Sequence, residues 1–237
     1  MAERLDSRDP VSPIGLGIYS LPEAAWLVGA SVLTVRRWLM GYRFPVKWKG
    51  GVSPPVLSPQ LPVVEGHVAL GFLDLVELLF IKAFREHGIS LPIIRRAARE
   101  AARRWKTGHP FCVKRFQTDG HTIFAALAPE EGEEQLIDLP RSQMAFTSVL
   151  NPYLTQIEYD QVLGDATMWW PLGRRKHVVV DPRRSFGRPI IVPGGIPTDV
   201  IAAAVREDQP EQDVARWYEV PIAAVRAAVG FERSLAA

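Results

Sequence analysis

The chain has 237 residues, 47% of them hydrophobic and 23% charged, with a net charge of +2. That length holds two or three modest domains with real cores, and the composition is that of an ordinary folded protein. A single cysteine, Cys112, excludes an internal disulfide framework and a multi-cysteine metal site within one chain. The small net charge hides an asymmetry. Residues 1–116 carry 17 Lys and Arg against 9 Asp and Glu, or +8, whereas residues 117–237 carry 11 against 17, or −6. Such a basic front half is expected to meet a polyanion. The first residues lack the apolar core of a signal peptide, and no stretch is apolar enough to span a bilayer, so a cytoplasmic protein is expected.

In chain order, residues 1–18 read as a loose arm, and residues 19–41 as two short helices. Ser20 is a plausible N-cap, Pro22 and Glu23 suit a first turn, and Gly29 stops the first helix. Ser31 caps the second, which runs to about Met40. Val32, Val35 and Leu39 share one side of that helix, and Thr34 and Arg37 point away from it. Arg36 and Trp38 sit at the two margins. Two helices joined this closely leave the second free to enter a DNA groove. In that reading Thr34 and Arg37 reach base edges, Arg36 holds a phosphate while its stem packs, and Trp38 is core.

No acidic residue occurs between Glu23 and Glu65, but Arg36, Arg37, Arg43, Lys47 and Lys49 do. Residues 42–48 and 67–72 are β-capable and flank a proline-rich stretch, which predicts a two-stranded wing with a long tip. Helices are expected over 73–87, ended by Gly88, and from a Ser90 cap to about Lys106. Arg95, Arg96, Arg99, Arg103 and Arg104 crowd the second of these, with Glu100 as the one acid, so some are expected to face an anion.

From Pro110 the pattern changes. Residues 111–116 and 121–127 flank Asp119-Gly120, which predicts a β-hairpin. A strand is expected over 135–139 and one helix within 140–164. Trp169-Trp170 and Arg174-Arg175-Lys176 follow. The last sixty residues read as a separate unit: two short apolar runs at 177–180 and 189–192, then three helices at about 198–206, 210–218 and 221–233. The expected fold class is therefore α+β, with an N-terminal winged helix-turn-helix, a small β-rich central segment, and a C-terminal β-hairpin plus a three-helix bundle. The expected parcels are residues 1–18, 19–106, 107–176 and 177–237.

Residues 19–106 resemble the MerR-like winged-helix domains. The resemblance rests on Thr34-Val-Arg-Arg-Trp38, Phe72-Leu-Asp-Leu-Val-Glu-Leu-Leu79 and His87-Gly-Ile-Ser-Leu-Pro-Ile-Ile-Arg95. It implies DNA binding as a symmetric dimer, with Ser31, Thr34, Arg36, Arg37, Arg43, Lys47 and Lys49 as candidate contacts. The proline-rich wing and the lack of a long coiled coil depart from the family pattern. Residues 177–235 resemble a small bacterial domain family of unknown function, through Val180-Asp-Pro182, Phe186-Gly-Arg-Pro189, Gly195-Ile-Pro197 and Asp213-Val-Ala-Arg-Trp-Tyr218. That domain is common in VapB-type antitoxins, whose partners are PIN-like ribonuclease toxins. The two resemblances together imply an antitoxin that represses its own operon. Trp169, Trp170, Arg174, Arg175 and Lys176 are the candidate toxin-binding element, because an acidic nuclease cleft accepts basic and aromatic side chains.

No phosphate loop, nucleophile elbow or His-Glu metal helix is present in the sequence, so neither an enzyme nor a cofactor is expected. His109, Cys112 and His121 have ligand-like spacing but read as structural, and Asp181, Asp199 and Asp213 read as caps. The alternative reading is a stand-alone MerR-like regulator whose C-terminal half senses a ligand.

Overall fold

The computed structural model describes residues 15–45, 51–62, 68–127, 143–206 and 209–235. The fold is α+β, with small antiparallel sheets set among helices. It opens with β1 (Tyr19–Ser20), α1 (Leu21–Val28) and α2 (Val32–Met40). Ser20 accepts the Glu23 N–H while Glu23 reaches back to the Ser20 N–H, a reciprocal capping box that fixes where α1 starts. Gly29 ends α1 in the left-handed conformation, and Ser31 caps α2 by accepting the Thr34 N–H at 3.1 Å.

β2 (Tyr42–Phe44) pairs with β3 (Gly51–Ser53), Arg43 standing opposite Val52. The expected wing is thereby corrected. Its second strand is residues 51–53, not 67–72; the latter contain β4 (Ala69–Leu70), which pairs with β1. The proline-rich stretch is not a wing tip. Proline gives no ladder donor, but Val56 and Leu57 are apolar, so the segment runs back over the core with both of them buried. The Val56 N–H donates to the Trp38 carbonyl at 2.7 Å. Gly41 makes the close crossing tolerable, since a Cβ there would lie 2.4 Å from the Ser53 carbonyl oxygen, and its φ is +70°.

α3 (Phe72–Glu86) and α4 (Leu91–Trp105) follow, and then α5 (Arg115–Ala126) replaces the expected hairpin. Phe116, Gly120, Ile123 and Phe124 recur at helical spacing and all four are buried. Gly120 is not a turn residue: a Cβ there would meet the rings of Phe116 and Phe146 at under 3 Å. Packing thus overrides the Asp-Gly turn signal. The expected strand at 135–139 lies outside the described residues. α6 (Gln143–Leu154) is the helix expected in that part of the chain. Phe80, Phe84, Phe111, Phe116, Phe124 and Phe146, contributed by α3, α5, α6 and the 3-10 turn at Pro110–Cys112, form one aromatic cluster.

The C-terminal part holds β5 (Ile157–Tyr159), β6 (Ala166–Trp169), β7 (Val178–Val180) and β8 (Pro189–Ile191) in one antiparallel sheet in that order. Trp169 pairs with Val180, so the sheet runs across position 177 and the hairpin expected there is half of it. α7 (Thr198–Arg206), α8 (Glu211–Trp217) and α9 (Ile222–Leu235) pack on one another around Ile201, Val214, Ala224 and Val225. The main core runs from Tyr19 to Val180 and takes in Phe231 of α9.

Candidate nucleic-acid interface

On α2, Val35, Trp38 and Leu39 are buried against α1 and the core, which leaves Ser31, Arg36 and Arg37 exposed. Val32, expected on the apolar side, is 44% exposed, because the core ends short of the first turn of α2. Thr34 is half-buried. Its hydroxyl accepts from the Ser31 hydroxyl at 2.8 Å, so part of its hydrogen-bonding capacity is spent on the cap. The Arg37 guanidinium lies 5.1 Å from the centre of the Tyr42 ring, a cation–π distance that carries the side chain toward the β2–β3 hairpin. Arg43 is exposed on β2. Lys47 and Lys49 lie outside the described residues.

A depression of about 430 Å³ lies beside α2, lined by Ser31, Thr34, Arg37, Tyr42, Lys82 and Arg85 among others. Lys82 pairs with Glu86 one helical turn on, at 3.5 Å, and Arg85 donates to the Ile89 carbonyl at 2.8 Å. Neither these two nor Tyr42 was picked out by sequence reasoning. Arg95 was expected on the charged face of α4 but is only 8% exposed. It lies one turn beyond Leu91 and one before Ala98, at the margin of the apolar stripe, and that spacing is the signal that marks it. Its guanidinium donates to Ser53 Oγ at 2.6 Å, tying α4 to β3.

Of the candidate toxin-binding residues, Trp169 is in the core and the others are half-buried or exposed. Trp169 is buried, its indole N–H donating to Gln156 Oε1 at 3.2 Å. Trp170 donates to Glu158 Oε1 at 2.9 Å, and Arg174 pairs with that same carboxylate at 3.6 Å. Arg175 and Lys176 are exposed. Glu158 on β5 therefore gathers Trp170 and Arg174.

A buried polar group joins α3 to the turn at Pro110–Cys112. Asp74 accepts the Gln60 and Gly71 N–H groups at 2.8 Å, and Glu77 Oε1 accepts the Phe111 N–H at 2.8 Å. Burial pushes Asp74 up to about 6 and Glu77 up to about 8, and it holds the Cys112 thiol protonated. The Cys112 thiol donates to the Leu73 carbonyl at 3.2 Å. A fully buried thiol of this kind is inert. Among the described residues no group of three or more His, Cys, Asp and Glu side chains is arranged to hold a metal ion, and no helix is long and apolar enough to cross a membrane.

Each of three comparisons with known proteins gives a match. Residues 178–231 match the family model described as a protein of unknown function, DUF433. A protein of Mycobacterium tuberculosis (strain ATCC 25618 / H37Rv) with the name "Putative antitoxin VapB45" is 26% identical over 212 residues, which span 86% of this chain and 88% of that one. The X-ray crystal structure of Rv2018 from Mycobacterium tuberculosis superposes with a TM-score of 0.67 at 23% identity, covering 89% of this chain and 96% of that one. The chain is thus a distant homologue of an antitoxin-type protein over most of its length, and it shares the fold of the Rv2018 structure.

Proposed function

We propose that this protein is a DNA-binding antitoxin that neutralises a PIN-like ribonuclease toxin and represses its own operon as a dimer, without catalytic activity of its own. In this reading residues 19–106 are a MerR-like winged helix-turn-helix, residues 107–176 connect, and residues 177–237 are the antitoxin-type domain. The observation that carries the DNA-binding part is the exposed Arg36-Arg37 pair on a helix whose other face is buried, beside a hairpin bearing exposed Arg43. α2 enters the major groove, Arg37 contacts base edges, and Arg36 and Arg43 hold phosphates. The name carried by the mycobacterial relative supports the antitoxin part.

The test uses the full chain, because α3 and α4 bury their apolar faces against α5 and α6. Arg37→Ala is expected to cost about 1–3 kcal/mol in binding to the duplex upstream of the chain's own gene, and little on a mixed-sequence duplex. Arg36→Ala is expected to weaken both about equally. Fluorescence anisotropy reads both, and an unchanged affinity of the Arg37 variant for the upstream duplex removes α2 from the groove. Growth rescue on co-expression with a PIN-like neighbour tests the antitoxin half; no rescue with an active nuclease refutes it.

One observation favours the second reading, a regulator that senses a ligand. A cavity of about 690 Å³ lies between the end of α4, the start of α5 and the β5–β6 turn, lined by Trp105, Lys106, Lys114, Arg115, Asp160 and Asp165 among others. Absence of any nuclease gene beside this one, with operator affinity intact, selects that reading.

A further inference from the structure

Arg95 is 8% exposed, and among the described residues its guanidinium has one partner: Nη2 donates to Ser53 Oγ, while Nε is buried with none. Burying a cation without a counter-charge is costly. Arg99 stands one turn further along α4, exposed, and as an i,i+4 like-charge pair the two repel. Burial pulls the Arg95 guanidinium down from its ordinary value, Tyr42 opposing that and the Arg99 charge adding to it. Both side chains line a groove of about 440 Å³ between the β2–β3 hairpin and the first turns of α4, together with Tyr42, Val52, Ser53 and Pro92. Among the described residues no acidic side chain lines it. A buried guanidinium with an unpaired donor, a second guanidinium beside it and no carboxylate among the described residues of the lining is a donor set suited to an oxyanion.

We propose that this groove holds an internucleotide phosphate of the duplex that α2 reads, with Arg95 as its floor and Arg99 as its outer wall. The proposal rests on the DNA-binding reading above. The argument for nucleic acid over a free anion is continuity. Tyr42 lines both this groove and the depression beside α2, and Arg37 of α2 lies over that same ring. Tyr42 thus joins the α2 face to the groove at the start of α4. Arg96, also at the groove, is partly held by its bond to the Leu127 carbonyl at 3.3 Å and plays the lesser part. Arg103 is paired with Glu100 at 2.7 Å and lies outside the groove.

The experiment measures the salt dependence of full-chain binding to the upstream duplex and to a mixed-sequence duplex, for the wild type, Arg99→Gln, Arg95→Lys and Arg103→Gln. Losing one phosphate contact lowers the slope of log K against log salt by about 1. The expected result is that reduction in Arg99→Gln on both duplexes, a loss of affinity in a folded Arg95→Lys, and an unchanged slope in Arg103→Gln. If the wild type binds DNA and Arg99→Gln keeps its full slope, or Arg103→Gln loses as much, the groove is not a phosphate site although DNA binding stands. Thermal stabilisation by inorganic phosphate that is lost in Arg99→Gln, with the DNA slope unchanged, reassigns the groove to a free anion and overturns the proposal. A wild type that binds neither duplex removes the DNA-binding reading itself, and this proposal with it.

Discussion

Phe84→Ala is expected to destabilise the protein by about 3–5 kcal/mol. Phe84 is fully buried on α3 and its ring touches four others. Ring centres lie 5.5 Å away for Phe111, 6.0 Å for Phe116, 4.7 Å for Phe124 and 6.1 Å for Phe146. These partners come from the 3-10 turn at Pro110–Cys112, from α5 and from α6, so removing the ring opens a cavity where these elements meet and no single one can collapse into it. Thermal melts are expected to show a fall on the order of 10 °C. Val162→Ala, at a site 91% exposed, serves as the control and is expected to shift stability by less than about 0.5 kcal/mol. A loss below about 1 kcal/mol in Phe84→Ala means the rings do not form a shared core.

The second large effect is in pH. Glu77 is fully buried, its Oε1 bonded to the Phe111 N–H and its Oε2 without a partner, so the folded state favours the protonated acid. Burial raises it from 4.5 to about 8. The unfolded chain loses this proton near 4.5 while the folded chain keeps it until about pH 8. Stability from Glu77 is therefore full below about pH 4.5, falls as pH rises, and is exhausted above about pH 8. The total is on the order of 5 kcal/mol. Asp74, raised by burial from 3.8 to about 6, acts in the same direction over a lower window. His109, lowered from 6.5 by burial, acts oppositely: its contribution is present above about pH 6.5 and lost in acid. Between about pH 6.5 and 8 Asp74 and His109 have both finished titrating, so a decline over that window isolates Glu77. Glu77→Gln retains an acceptor for Phe111 and cannot ionise. Its melting temperature is expected to stay level from pH 6.5 to 8 and to exceed the wild type's at pH 8. A wild-type melting temperature that is flat over that window, or a variant that falls in parallel with it, means Glu77 is not held as the neutral acid.

The sequence carried the elements whose signals are local. Ser20 with Glu23, and Ser31 before Thr34, are caps that act within one turn, and they set the starts of α1 and α2 without help from the rest of the chain. The 3.6-residue spacing of apolar positions put Val35 and Leu39 inside and Arg36 and Arg37 outside. The charge asymmetry and the Arg36-Arg37 pair, which carry the proposed function, were equally visible in the bare sequence.

Tertiary structure decided whatever depended on what a segment packs against. Asp119-Gly120 is a turn signal by residue type, yet the rings of Phe116 and Phe146 need the space that a Cβ at Gly120 would fill, so the segment is helical. The sequence pairs residues 42–48 with 67–72, whereas β2 pairs with residues 51–53. The choice is settled by Tyr19, whose pairing with Leu70 claims Ala69–Leu70 for β4. Trp169 reads from sequence like part of a basic-aromatic surface element, but its pairing with Val180 turns it into the core. Arg95 is one of five arginines on α4; its spacing puts it at the margin of the apolar stripe, and the approach of Ser53 gives its guanidinium a buried partner. Caps and helical periodicity act over a few residues and are written in the chain. Burial of a given side chain depends on elements far away in sequence, and only the assembled fold brings them together.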